Sequence, residues 1–246
     1  MEFGQFSLED MVDSNKNDVE SADIDYIHDK AKSELQKLSG KKVLITGAGG
    51  FLGYYLVKSI LAWSDKEKEE KIGLAALSSF RNGVPNWFSV LGKRNDFRII
   101  KKDITKFKLD KNLSFDYIIH AASIASPTFY RLFPIETINA NVKGLYNILD
   151  YLVIKKNMKN PVKGLLYFSS SEIYGDPLPG DIPTSEDYRG NVSCTGPRAC
   201  YDESKRFCET LCVNYAQVHH LPIKSARPFN NYGRGMKITD GRVIAD

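Results

Sequence analysis

Tyr201 and Lys205 lie four residues apart in Tyr201-Asp202-Glu203-Ser204-Lys205, so on a helix they share one face. An ammonium beside a phenol favours the phenolate, which can take the proton of an alcohol while its carbon gives up a hydride to a bound nicotinamide. About 150 residues upstream, Thr46-Gly47-Ala48-Gly49-Gly50-Phe51-Leu52-Gly53 places glycines at three-residue steps between an apolar run and a helical pattern. That spacing suits a turn whose backbone approaches a pyrophosphate closely, with the free N–H groups of the helix start facing its charge. Ser170 follows a predicted strand, where its hydroxyl could bond the same alcohol oxygen, and Glu172 two residues on could act as an acid or base or order a substrate carboxylate. The two signals together predict oxidation of a sugar hydroxyl with a nicotinamide dinucleotide.

The elements that must position these groups follow from the hydrophobic pattern. Ile24, Ile27, Ala31, Leu35 and Leu38 have helical spacing and predict a leading helix, packed on the domain or on a partner subunit; residues 1–20 are acidic and predicted poorly ordered. After Gly40, apolar runs at 43–45, 72–77, 97–100, 115–120, 164–169 and 223–226 predict strands. Helical patterns at 52–63, 138–155 and 201–219 alternate with them, and a long loop is expected around Asn82-Gly83 and Pro85. Apolar strands without a polar face, alternating with helices, predict an α/β fold of Rossmann type: a doubly wound parallel sheet with helices on both faces. Residues 1–39 are expected to form an acidic extension with the leading helix, and 40–246 the dinucleotide-binding domain with the start of a substrate-binding lobe.

Further candidates follow from that frame. Gly47, Gly50, Phe51, Leu52 and Gly53 form the cradle, and Ala121, Ala122 and Ser123 follow the fourth strand beside it. The second strand ends in Ser78-Ser79-Phe80-Arg81 with no carboxylate for ribose hydroxyls, so Ser78 and Arg81 are cofactor candidates that could instead meet a 2′-phosphate. Asp103 and Ile104 are candidates for the adenine edge, Asp103 alternatively as a cap. Asn139 and Asn141 are expected to cap the long helix, Asn141 being also a cofactor candidate; Ser171 and Asn230, near Arg227, are substrate candidates. The histidines are scattered, and Cys194, Cys200, Cys208 and Cys212 lack zinc-like spacing, so no metal is expected and the thiols are taken as reduced.

The net charge of +4 combines nine acids against Lys16 and Lys30 in residues 1–30 with a basic remainder. No basic stripe points to nucleic acid, and no apolar run is long enough to span a bilayer. A cytoplasmic location is expected.

The chain resembles the extended short-chain dehydrogenase/reductase family (NAD-dependent epimerase/dehydratase) acting on nucleotide sugars, and within it the UDP-glucuronate decarboxylase (UDP-xylose synthase) branch. The resemblance is carried by Thr46–Gly53, His120–Ser123, Asn141–Gly144, Ser169–Pro177, Arg198–Lys205, Arg227–Gly233 and Asp240–Val243. It implies Ser170, Tyr201 and Lys205 as the catalytic serine, tyrosine and lysine, and Glu172 as the glutamate of the decarboxylase and dehydratase branches. It also implies retained NAD (NADP not excluded), a UDP-linked substrate and a homodimer joined through long helices. Ser171 stands where 4,6-dehydratases of dTDP-glucose place an aspartate, which disfavours simple dehydration, and Glu172 makes 4-epimerisation less attractive. A non-catalytic dinucleotide-binding subunit is the remaining alternative. The chain departs from the family at the missing carboxylate after the second strand, at Tyr232-Gly233-Arg234-Gly235-Met236, and in length, since most of the C-terminal substrate lobe is expected to be absent.

Overall fold

The computed structural model describes residues 18–66, 70–80, 83–233 and 235–236. Arg81 and the segment Asp240–Val243 lie outside the described residues.

Six strands, β1 (Lys42–Thr46), β2 (Gly73–Ser78), β3 (Phe97–Lys101), β4 (Tyr117–His120), β5 (Gly164–Phe168) and β6 (Ile223–Ala226), form one parallel sheet. Their order is β3-β2-β1-β4-β5-β6. The winding reverses between β1 and β4, and in open α/β sheets the crevice at the strands' carboxyl ends beside such a reversal is where ligands bind. In register, Thr46 stands opposite His120 and Leu77, so the ends of β1, β4 and β2 come level at that crevice.

Successive strand residues face opposite sides and divide the core in two. Val43, Ile45, Leu74 and Ala76 pack with Val57, Ile60, Trp63 and Phe88; Leu44, Leu77, Ile118 and Leu165 pack with Leu145, Leu149, Cys208 and Leu211. The first set covers the face under α3 (Phe51–Lys66), and the second lies under the paired helices α6 (Pro134–Asn157) and α7 (Ala199–His219).

The leading helix is two pieces, α1 (Asp18–Lys30) and α2 (Lys32–Gln36). It starts earlier than the apolar pattern shows, because Glu20 reaches Lys58 at 3.3 Å. It packs on the domain itself: His28 bonds the Ser59 carbonyl at 2.9 Å and meets the Trp63 ring edge-on at 5.5 Å. The region expected to be a long loop contains α4 (Asn86–Leu91), capped by Pro85. Phe88 holds that short helix by packing on Phe80 and Phe97, centroids 5.0 and 5.7 Å away. A further helix, α5 (Pro127–Leu132), precedes α6, which begins at Pro134. Asn139 and Asn141 therefore lie inside α6 and do not cap it; Pro134 supplies the first turn, where a missing N–H costs nothing.

Candidate active site

The cradle forms because β1 ends in a turn only glycine can make. Gly47 has φ +71°, and a Cβ there would lie 2.6 Å from the Ala121 carbonyl oxygen and 2.7 Å from the Ala122 nitrogen. Gly53, in the first turn of α3, would place a Cβ 2.5 Å from the carbonyls of Gly47 and Ala48. The turn is thus pressed between the 121–122 backbone and its own helix, with Gly50 N–H closing it on the Gly47 carbonyl at 2.9 Å. Phe51 and Leu52 open α3, and the donor-rich helix start points at the crevice that Gly47, Ser78, Ser79, Lys102, Asp103, Ile104, Ala122 and Ser123 line. A glycine turn packed this closely, followed by a helix start beside the crevice, fits a dinucleotide. Buried Thr46 holds the far wall, its hydroxyl bonded to His120 Nδ1 at 2.7 Å and accepting from Ala122 N–H at 3.3 Å. His120 is fully buried, which lowers its pKa to about 3 and keeps it neutral.

Tyr201 and Lys205 share one face of α7, as their spacing requires. Both are buried, Tyr201 to 6% exposed and Lys205 to 3%. The Lys205 ammonium donates to the Phe168 carbonyl at the end of β5 (2.7 Å) and sits 5.8 Å from the Tyr201 ring centre. Burial lowers its pKa to about 8. Tyr130 from α5 stacks on Tyr201 at 5.1 Å and 15°, fixing the plane of the phenol. Ser170, buried after β5, accepts from Glu172 N–H at 3.2 Å and so caps the 3₁₀ turn Ser171–Tyr174; its own proton remains to be donated.

Asn141 and Arg227 are both engaged within the fold. Asn141 accepts from Ser123 Oγ and donates to Ser204 Oγ, both at 2.7 Å, while Ser204 donates to the Tyr201 carbonyl at 2.9 Å. This relay ties the end of β4, through α6, to the turn of α7 that carries the phenol. Arg227 is not available to an anion. It makes a two-pronged ion pair with Glu209 (2.9 and 2.8 Å) and bonds Tyr174 Oη at 2.8 Å. Asn230, beyond β6, is exposed, and Ser171 anchors its turn through a 3.0 Å bond from its N–H to the Pro228 carbonyl. Asp103 Oδ1 accepts from Thr105 N–H and Oγ1–H, so it caps a turn in place of a helix, while Ile104 is buried against Gly144 of α6.

Glu172 is ion-paired with Arg198, whose Nε lies 3.5 Å from Asp202 Oδ2. These groups line a second cleft of about 180 Å³ together with Asp176 and Asn191. Asp202 Oδ1 is buried with no hydrogen-bond partner among the described residues, and burial, partly opposed by Arg198, raises the carboxyl pKa to about 6. Arg198, Asp202 and Tyr130 were missed in the sequence; the i, i+4 spacing of Arg198 and Asp202 beside Tyr201 was the available signal. Among the described residues no cluster of His, Cys, Asp or Glu could hold a metal ion, and all four cysteines are free.

The model of the NAD dependent epimerase/dehydratase family matches residues 43–246, the whole span from β1 onward. The chain belongs to that family. Membership makes NAD the dinucleotide the cradle holds. UDP-glucuronic acid decarboxylase 5 of Arabidopsis thaliana is 39% identical over 208 residues, covering 85% of this chain and 56% of that protein. UDP-glucuronic acid decarboxylase 1 of Danio rerio is 36% identical over 216 residues, with 86% and 46% covered. The chain thus spans about half the length of the curated relatives it matches. Among solved structures it resembles the UDP-N-acetylglucosamine 4-epimerase of Methanobrevibacter ruminantium M1 in complex with UDP-N-acetylmuramic acid, with TM-score 0.66, 23% identity, and 84% of this chain and 61% of that one covered. It also resembles Bordetella bronchiseptica WbmF in complex with NAD+, with TM-score 0.58, 24% identity, and 84% and 55% covered. At these identities the two structures share the fold.

Proposed function

We propose that this chain carries the redox half of a UDP-glucuronate decarboxylase working through a 4-keto intermediate. The observation that carries this is the buried Lys205 ammonium beside the Tyr201 ring, on the helix that also presents Arg198 to Glu172. The names of the curated relatives support it.

Bound NAD would accept the C4 hydride of the sugar and return it at the end, so none is consumed. Tyr201, held as phenolate by Lys205, takes the C4 hydroxyl proton and later gives it back, while Ser170 donates to the same oxygen and orients the sugar. With C4 at the ketone level, the C6 carboxylate is β to a carbonyl. Carbon dioxide then leaves as its bonding pair moves into the enolate, which takes a proton from solvent at C5 to restore the 4-ketone before the hydride returns. Glu172, charged and held by Arg198, faces that end of the substrate. Gly47, Gly50, Phe51, Leu52, Gly53, Ala121, Ala122 and Ser123 hold the dinucleotide, with Asp103 and Ile104 at the adenine end; Ser171 and Asn230 contact the sugar nucleotide. Asn141 positions Tyr201 through Ser204.

A 4,6-dehydratase or 4-epimerase is the second reading, favoured by the shared fold with a 4-epimerase. Ser171 and Glu172 weigh against it. Residues 1–39 are an acidic extension with a leading helix, and 40–246 the Rossmann domain with the start of a substrate lobe. The protein acts as a homodimer in a reducing, cytoplasmic setting, in keeping with its free thiols.

Mass analysis of products from UDP-glucuronate, UDP-glucose and dTDP-glucose tests the reaction. Carbon dioxide with a UDP-pentose is expected. Loss of water, or an isobaric product, overturns decarboxylation in favour of the second reading. Tyr201→Phe is expected to lower turnover by about 10²-fold or more while dinucleotide affinity stays within twofold.

A further inference from the structure

We propose that the adenosine end of the crevice contains a subsite for a ribose 2′-phosphate, formed by Ser78, Ser79 and Lys102, so that the chain takes NADP as well as NAD. This rests on the dinucleotide reading of the cradle and concerns only which dinucleotides enter.

A carboxylate at the end of β2 would do two things in such a crevice. It would accept hydrogen bonds from the ribose hydroxyls, and it would repel a phosphate in place of the 2′-hydroxyl. Here β2 ends in Ser78 and Ser79. Phe80 then turns the chain with φ +46° and buries its own ring on Phe88. Of the described residues lining the crevice, Asp103 alone is acidic, and one of its oxygens already accepts two bonds from Thr105. The repulsive element is therefore missing at the end of β2.

The attractive element comes from the neighbouring strand. Lys102 follows β3, and its N–H donates to the Ser78 carbonyl at 3.0 Å, which sets the lysine level with the serine pair. Its side chain is exposed, lines the same crevice and makes no ion pair with a described residue; its ammonium lies 6.0 Å from the Phe107 ring centre. Ser78 and Ser79 line the crevice together with Gly47 of the cradle. A Cβ on Gly49 would lie 3.0 Å from Ser78 Oγ and 2.8 Å from the Phe80 ring, so this glycine lets the cradle rest on the serine. Two hydroxyl-bearing residues and a lysine lining one solvent-facing crevice, in which Asp103 is the one acid among the described residues, are a donor set for a dianion.

Titration of the full chain with NADPH and NADH, followed by nicotinamide fluorescence, tests this without any sugar substrate. NADPH is expected to bind within about tenfold of NADH, with the steeper loss of affinity as salt rises. Lys102→Glu is expected to lower the NADPH-to-NADH affinity ratio by at least about tenfold, and Ser78→Asp to do the same while strengthening NADH. NADH binding with NADPH more than about a hundredfold weaker overturns the subsite and leaves the cradle standing. Equal ratios in wild type and both variants also overturn it, since phosphate would then be met elsewhere. If neither dinucleotide binds, the cradle reading falls and the subsite with it.

Discussion

At the scale of single residues, burial decides the chemistry as much as residue type does. Lys205 is nearly without water, so its ammonium is held by the Phe168 carbonyl and the faces of Tyr167 and Tyr201, and its pKa falls to about 8. Asp202 shows the opposite displacement. Its pKa is raised to about 6 because one carboxylate oxygen is buried without a partner among the described residues. An acid whose folded-state pKa lies above the unfolded value destabilises the fold when ionised. The cost is full above about pH 6 and disappears as pH falls toward 3.8. Asp202→Asn is therefore expected to stabilise the protein by about 1–3 kcal/mol at pH 7 and by little at pH 4, measured as urea midpoints at the two pH values. An equal effect at both would show that the carboxylate is not strained by burial.

At the scale of elements, the catalytic helix is held from behind by a relay of neutral hydrogen bonds. Ser123, Asn141 and Ser204 link the ends of β4 and α6 to the carbonyl of Tyr201, and Asn141 is 1% exposed. Removing the amide takes the acceptor from half-buried Ser123 and a donor from buried Ser204, at about 1–3 kcal/mol. Asn141→Ala is expected to lower stability by that amount and turnover by about tenfold, with a smaller change in dinucleotide affinity. Loss of binding alone, with stability intact, would assign Asn141 to the cofactor instead. The cradle depends on a different kind of fit. Gly47→Ala forces a Cβ into the 121–122 backbone at a positive φ, so dinucleotide binding is expected to be lost together with about 2–4 kcal/mol of stability. Calorimetric titration and thermal melting report the two effects separately.

At the scale of the whole molecule, α6 and α7 pack on each other and leave Ile138 and Phe207 exposed at 38% and 45%. A homodimer built on these helices would cover them. Phe207→Glu is expected to give a monomer by light scattering with the dinucleotide site intact; an unchanged mass would place the interface elsewhere. No helix among the described residues is long and apolar enough to cross a membrane.

The strands and the cradle were legible because each rests on local pattern. Val43-Leu44-Ile45 is apolar on both faces, and Gly47, Gly50 and Gly53 have a spacing that only a strand-to-helix turn explains. The Tyr201 and Lys205 pair was legible because four residues on a helix define a face whatever the surroundings. The short helices α4 and α5 were not, since six residues form a stable helix only when something packs on them; Phe88 meets Phe80 and Tyr130 meets Tyr201, both outside their own helices. The use made of polar groups was also decided by tertiary structure. Nothing along the chain shows that Arg227 is paired with Glu209, or that Asn141 donates to Ser204. A pattern along the chain specifies what a side chain can do, whereas a hydrogen bond is given to whichever partner folding brings within 3 Å.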